Sequence, residues 1–153
     1  MLRYHWAFLI GPKDETQAVV PGVRYHAKNH PITGWILEEA ELSNVRNTIN
    51  LLARVLIAKI ENEALLVKIL RETPVVRDDP EWTCRSWIVD ALSRIQAAGN
   101  KAVGTARLDW PTIEEFARRY VAEKKAAGRY AGDGDMTLPR PTWNLLEERE
   151  IVE

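Results

Sequence analysis

The chain has 153 residues, 46% of them hydrophobic and 28% charged, the size and balance of one ordinary folded domain. Its single cysteine excludes an internal disulfide and the zinc modules that need two or four thiolates, and a lone free thiol fits a reducing compartment. The 21 basic and 22 acidic residues leave a net charge of −1, without the basic excess that tracks a phosphate backbone, so nucleic acid is not an expected partner.

Met1 to Ile10 holds only a short apolar run, broken by Tyr4 and His5 and followed by Lys13-Asp14-Glu15, which does not read as a signal peptide. No window approaches the roughly 20 apolar residues of a membrane span, so a cytoplasmic protein is expected. Tyr4 to Ile10 reads as a strand stopped by Gly11-Pro12. Gly22 to Lys28 alternates, with Arg24, His26 and Lys28 on one face and Val23, Tyr25 and Ala27 on the other. Ile32 to Leu42 alternates again, and the short connection through Pro31 suggests a hairpin.

Leu51 to Ile60 suits either a buried helix or a strand; its β-branched second half favours a strand. Glu61 to Glu72 carries a helical stripe of Leu65, Leu66, Ile69 and Leu70 and stops before Thr73-Pro74. From Trp82 to Ala98, the positions Cys84, Trp87, Ile88, Ala91, Leu92 and Ile95 predict a second helix buried along one face, stopped at Gly99. A third runs from Pro111 to Ala127, with acids at its start and Lys124 and Lys125 near its end. Residues 131–153 carry 2 basic and 6 acidic groups and several Gly and Pro, reading as an acidic, largely irregular tail. The expected architecture is α+β: one domain over residues 1–130, an antiparallel sheet with about three helices.

Cys84 stands at the amino end of the second helix, where free N–H groups and the helix dipole stabilise a thiolate. The alternative is a packed core thiol, since cysteine is often buried. His26, on a strand between two cationic neighbours, is the candidate base for that thiol, and Glu39 or Glu38 on the following strand is the candidate orienting group. Trp82 is a candidate wall of the substrate pocket and His5 a candidate lining residue. A zinc site from His5, His26, His30 and Cys84 is present in inventory only, because Pro31 and the strand alternation deny His26 and His30 a common helical face. No phosphate loop, Gly-x-Ser-x-Gly elbow or His-Glu-x-x-His is present. No cofactor or metal is expected.

Gly22-Val23-Arg24-Tyr25-His26-Ala27 on a strand, followed by Trp82-Thr83-Cys84-Arg85-Ser86-Trp87 opening a helix, resembles the circularly permuted papain-like hydrolases, the PPPDE peptidases and lecithin retinol acyltransferase-like enzymes, in which histidine precedes cysteine. Most of residues 5 to 130 is also similar to small fungal proteins that share the Trp-Ala-Phe-Leu-Ile-Gly-Pro-Lys start, the Tyr-His-Ala-Lys-Asn strand and the Trp-x-Cys-x-x-Trp helix; that likeness brings no activity with it. The papain-like resemblance implies Cys84 as nucleophile, His26 as general base and Glu39 or Glu38 as orienting group. Thr83-Cys84 stands where that group has Asn-Cys. The function implied is a cysteine-dependent hydrolase or acyltransferase of amide, ester or thioester bonds, with a peptide, protein or acyl substrate. The alternative is a non-catalytic protein- or ligand-binding domain on the same scaffold.

Overall fold

The two alternating stretches fold back on each other: β2 (Gly22–His30) and β3 (Gly34–Leu42) pair antiparallel along their full lengths. Gly34 closes the turn with φ of 76°, a left-handed conformation that a residue without Cβ adopts freely. In the same turn the His30 ring accepts the N–H groups of Ile32 and Thr33, at 3.2 and 3.3 Å. β1 (Phe8–Ile10) joins the other edge of β2, completing an antiparallel β1-β2-β3 sheet with Phe8 opposite Tyr25 and His26 opposite Glu38. The expected strand over residues 4–10 is shorter, because only Phe8–Ile10 find partners in the ladder. The structure is a computed structural model that describes residues 3–132 and 137–153.

Contacts divide the chain into two units, and the hairpin lies in the first: the described residues up to Val45 together with Ile60–Val103. There α1 (Glu63–Glu72) begins where the Asn62 side chain accepts the Leu65 N–H at 3.0 Å, and ends at Thr73 ahead of Pro74. α2 (Cys84–Ala97) begins with the Thr83 N–H donating to the Ser86 hydroxyl at 3.1 Å. The whole stripe expected to face inward, Cys84 through Ile95, is buried. α2 packs on β2 and α1, with Trp87 fully buried and its indole N–H donating to the Thr73 carbonyl at 3.1 Å. Trp87 meets the Phe8 ring edge-on at 5.7 Å. Since Phe8 pairs with Tyr25 and successive strand residues point to opposite faces, α2 covers the Tyr25 face of the sheet and His26 points out of the other.

The second unit comprises Arg46–Lys59 and Gly104–Glu153. The apolar run 51–60 breaks into β4 (Arg54–Leu56) and β5 (Ala58–Ile60), because the Ile57 carbonyl accepts the Arg107 N–H at 2.7 Å and the strands on either side join different sheets. β5 pairs with β6 (Val103–Ala106), a four-residue strand too short and glycine-interrupted for its pattern to announce it. α3 (Trp110–Ala126) starts where the Asp109 carboxylate accepts the Thr112 N–H at 3.3 Å, with Pro111 in the first turn and Lys124 and Lys125 in the last. Residues 142–152 are not irregular: β7 (Thr142–Asn144) runs parallel to β4 and antiparallel to β8 (Arg149–Val152). Pro141, Thr142, Asn144 and Leu145 are buried, so this segment belongs to the second unit's core rather than forming a tail on a single 1–130 domain. Asp133–Met136, also placed in the expected tail, lie outside the described residues. Among the described residues no helix is long and apolar enough to cross a membrane.

A Cβ on Gly22 would lie 2.7 Å from the Ile10 carbonyl oxygen and 2.9 Å from the Val45 Cβ. The first obstacle is backbone of the paired strand and cannot step aside. Gly22→Ala is therefore expected to lower the unfolding free energy by about 1–3 kcal/mol in urea denaturation. Gly132→Ala, with nothing within 4 Å of the new carbon, is expected to change it by less than about 0.5 kcal/mol. Equal effects at the two positions contradict the close packing of β1, β2 and Val45.

Candidate functional site

The register of the β2–β3 hairpin chooses between the two glutamates. His26 stands directly opposite Glu38, so the two share a face; Tyr25 stands opposite Glu39 on the other. The His26 Nε2 lies 2.8 Å from Glu38 Oε1. Glu39 instead forms a two-point ion pair with Arg71 of α1, at 3.0 and 3.1 Å. It also bonds the Tyr25 hydroxyl; burial and then this carboxylate push the Tyr25 pKa up to about 12. Glu39 is thus part of the packing of α1 on the sheet, not an orienting group for histidine.

The other ring nitrogen of His26, Nδ1, faces Nε2 of His5 at 2.5 Å, and the rings meet edge to face with centroids 4.8 Å apart. His26 is buried and His5 is exposed. Glu38 also receives Arg24 Nη2 at 3.4 Å and Lys28 Nζ at 3.6 Å, so the three cationic or imidazole side chains that alternate along β2 converge on one carboxylate. The sequence places Arg24, His26 and Lys28 together by alternation. It does not reveal that His5, which precedes the paired part of β1, meets His26 across 21 residues.

Protonation states follow from the partners. The Glu38 pKa is held low, chiefly by its bond to His26, so at neutral pH it is a carboxylate that only accepts. His26 Nε2 must donate to it. The His26 pKa is itself held below its ordinary value, first by burial and then by Arg24, against the opposing pull of Glu38; its ring is neutral and Nδ1 is an acceptor. His5 Nε2 must then donate. Although His5 keeps solvent access, loss of water around its ring is the largest cause lowering its pKa, followed by His26 and Arg24. Its remaining nitrogen, Nδ1, carries a lone pair. A hydrogen-bonded line thus runs from Glu38 through His26 to His5.

The expected Cys84–His26 dyad is not assembled. Both His26 nitrogens are taken by His5 and Glu38, and the Cys84 thiol is in neither bond. Cys84 shares the buried stripe of α2 with Trp87, on the Tyr25 side of the sheet, so the sheet separates it from the His26 side chain. Trp82 packs edge-on against Trp35 at 5.4 Å, and Trp35, like Glu39, points to the α2 side; it does not wall the histidine site. His5, expected as a lining residue, is instead the outer member of the histidine line. His30 caps the hairpin turn, and among the described residues no three His, Cys, Asp or Glu side chains gather to hold a metal ion.

A family model matches residues 2–152. The chain belongs to DUF6914, a family of unknown function. No curated protein and no solved structure matches it.

Two outcomes are expected of this DUF6914 chain. Cys84, buried in the α2 stripe, should resist iodoacetamide in the native protein at neutral pH and react freely once guanidinium unfolds the chain; rapid native labelling contradicts its burial. The second concerns acid. Groups whose pKa is lower folded than unfolded leave the unfolded chain binding more protons, so each favours the fold less as pH falls. The two histidines contribute fully above the unfolded value of 6.5 and lose that contribution as pH drops below it towards their folded values. Glu38 contributes above 4.5 and loses it as pH falls through its lower folded value. Urea midpoints should therefore decline below pH 6.5, with a shallower decline between pH 6.5 and 5 in His5→Gln. A profile flat from pH 7.5 to 5 contradicts the assigned neutral histidines.

Proposed function

We propose that this chain is a histidine-dependent acid–base catalyst for hydrolysis or acyl transfer at an amide, ester or thioester bond, with His5 as the reacting imidazole. One observation supports it above the rest: the carboxylate, buried imidazole and exposed imidazole form a continuous hydrogen-bonded line that ends on solvent-exposed His5. This is the division of labour between base and orienting group in acyl-transfer sites, built from two histidines and one glutamate.

In this reading His5 Nδ1 removes the proton from an attacking water or alcohol as its oxygen bonds to the acyl carbon. The His5 Nε2–H bond to His26 strengthens as the His5 ring gains positive charge, and Glu38 stabilises that charge through the His26 Nε2–H. The imidazolium then returns the proton to the departing amine, alcohol or thiol. Arg24 and Lys28 bring two positive charges to the one Glu38 carboxylate, which favours an acyl oxygen that becomes an oxyanion. His26 and Glu38 are positioning residues, and Cys84 has no part.

Hydrolysis of p-nitrophenyl acetate tests the assignment. The rate should rise with pH through the lowered His5 pKa and level off near neutrality. His5→Ala should lose about 100-fold or more. Glu38→Gln should lose less and move the pH midpoint, and Cys84→Ala should match the wild type. Absence of turnover, or an unchanged His5→Ala, overturns the proposal; loss of turnover in Cys84→Ala returns the chemistry to the thiol.

A further inference from the structure

In the second unit, α3 faces β7 across an aromatic floor that the acid–base site does not use. Phe116 and Trp143 have ring centroids 5.2 Å apart, and Tyr120 stacks on Phe116 at 5.7 Å. Above this floor lie two concavities of about 470 and 540 Å³, which adjoin because Phe116, Arg119 and Trp143 line both. Their linings run along α3 from Thr112 to Ala127, about 22 Å at the rise of an α-helix. The shape is a trough, long enough for about six residues of extended chain.

The charges on its two sides are not equivalent. The carboxylates on the strand side are already paired: Glu148 with Arg107 at 3.2 Å, and Glu150 with Lys124 of α3 at 2.8 Å. On the α3 side, Glu115, Arg119 and Glu123 line the trough at spacings of four, yet form no ion pair with one another. Arg119 lies over the Phe116 ring instead, with its guanidinium carbon 5.6 Å from the centroid. The sequence offers two helical ion pairs, and the fold leaves all three charges available.

We infer that the trough binds an extended segment of a partner protein in which a basic, an acidic and a basic residue alternate with apolar ones. The charged rim sets the pattern. Residues four apart on a helix rise about 6 Å, and alternate residues of an extended chain are about 6.7 Å apart, so acidic, basic and acidic positions on α3 meet their opposites at every second residue of the segment. The intervening side chains then point away from α3, towards Trp143 on the β7 side of the trough. Pairing relieves three solvated charges together and excludes the reversed pattern by like-charge contact, which is specificity more than affinity. The site stands independently of the histidine line.

Fluorescence anisotropy with the full chain and labelled Lys-Leu-Glu-Leu-Lys and Glu-Leu-Lys-Leu-Glu peptides tests the inference. The first peptide should bind at least about tenfold tighter than the second. Arg119→Glu, an exposed substitution that the fold accommodates, should remove that preference and favour Lys-Leu-Lys-Leu-Lys. Equal binding of the two patterns, no saturation at millimolar protein, or an unchanged preference in Arg119→Glu overturns it. Concentration-dependent self-association abolished by Arg119→Glu would assign the trough to a second copy of the chain and equally overturn it.

Discussion

The pairing of His26 with Glu38 across the β2–β3 hairpin is the constraint on which the first unit's chemistry depends. Side chains alternate between faces, so a slip of β3 by one residue along β2 would move Glu39 opposite His26 and withdraw Arg71's partner. Two local features hold the register. Gly34 supplies the left-handed turn, and the close approach of β1, Val45 and Gly22 fixes the far end of β2. With the register fixed, each glutamate has one possible role: Glu39 ties α1 to the sheet, and Glu38 gathers Arg24, His26 and Lys28.

A buried histidine is tolerated only if its nitrogens are satisfied, and His26 meets that requirement at both. The arrangement is directional because each member's protonation forces the next. A carboxylate cannot donate, a neutral imidazole donates once, and the unmatched lone pair appears at the solvent end of the line. The same logic makes Cys84 an unsuitable partner. Its helix terminus would stabilise a thiolate, but its place on the α2 stripe turns it into the interface with the other face of the sheet, where it packs as a small apolar group.

Much of this fold is legible in the sequence where periodicity is long. The alternation of β2 and β3 and the six-position stripe of α2 are recovered almost residue for residue, because burial on one face dictates spacing. The short strands are not. Three residues of β7 between Pro141 and Leu145, and the division of 51–60 at Ile57, depend on partners distant in the chain rather than on local pattern. The site divides the same way. Alternation places Arg24, His26 and Lys28 on one face. Whether Glu38 or Glu39 joins them is a question of register, and the meeting of His5 with His26 is tertiary. Cys84 at a helix start reads as reactive in one dimension; which side of the sheet that helix covers is visible only through Trp87 and Phe8.

The base at His5 depends on a line of defined tautomers, and those tautomers are directly observable. Long-range proton–nitrogen correlation spectra of ¹⁵N-histidine-labelled protein at pH 7.5 report which ring nitrogen of each histidine is protonated. His26 and His5 are both predicted to be neutral, with the proton on Nε2 and a lone-pair shift at Nδ1. A protonated Nδ1 on His26, or averaged shifts of a freely exchanging ring at either residue, would contradict the line from Glu38 to His5 and with it the assignment of His5 as a base.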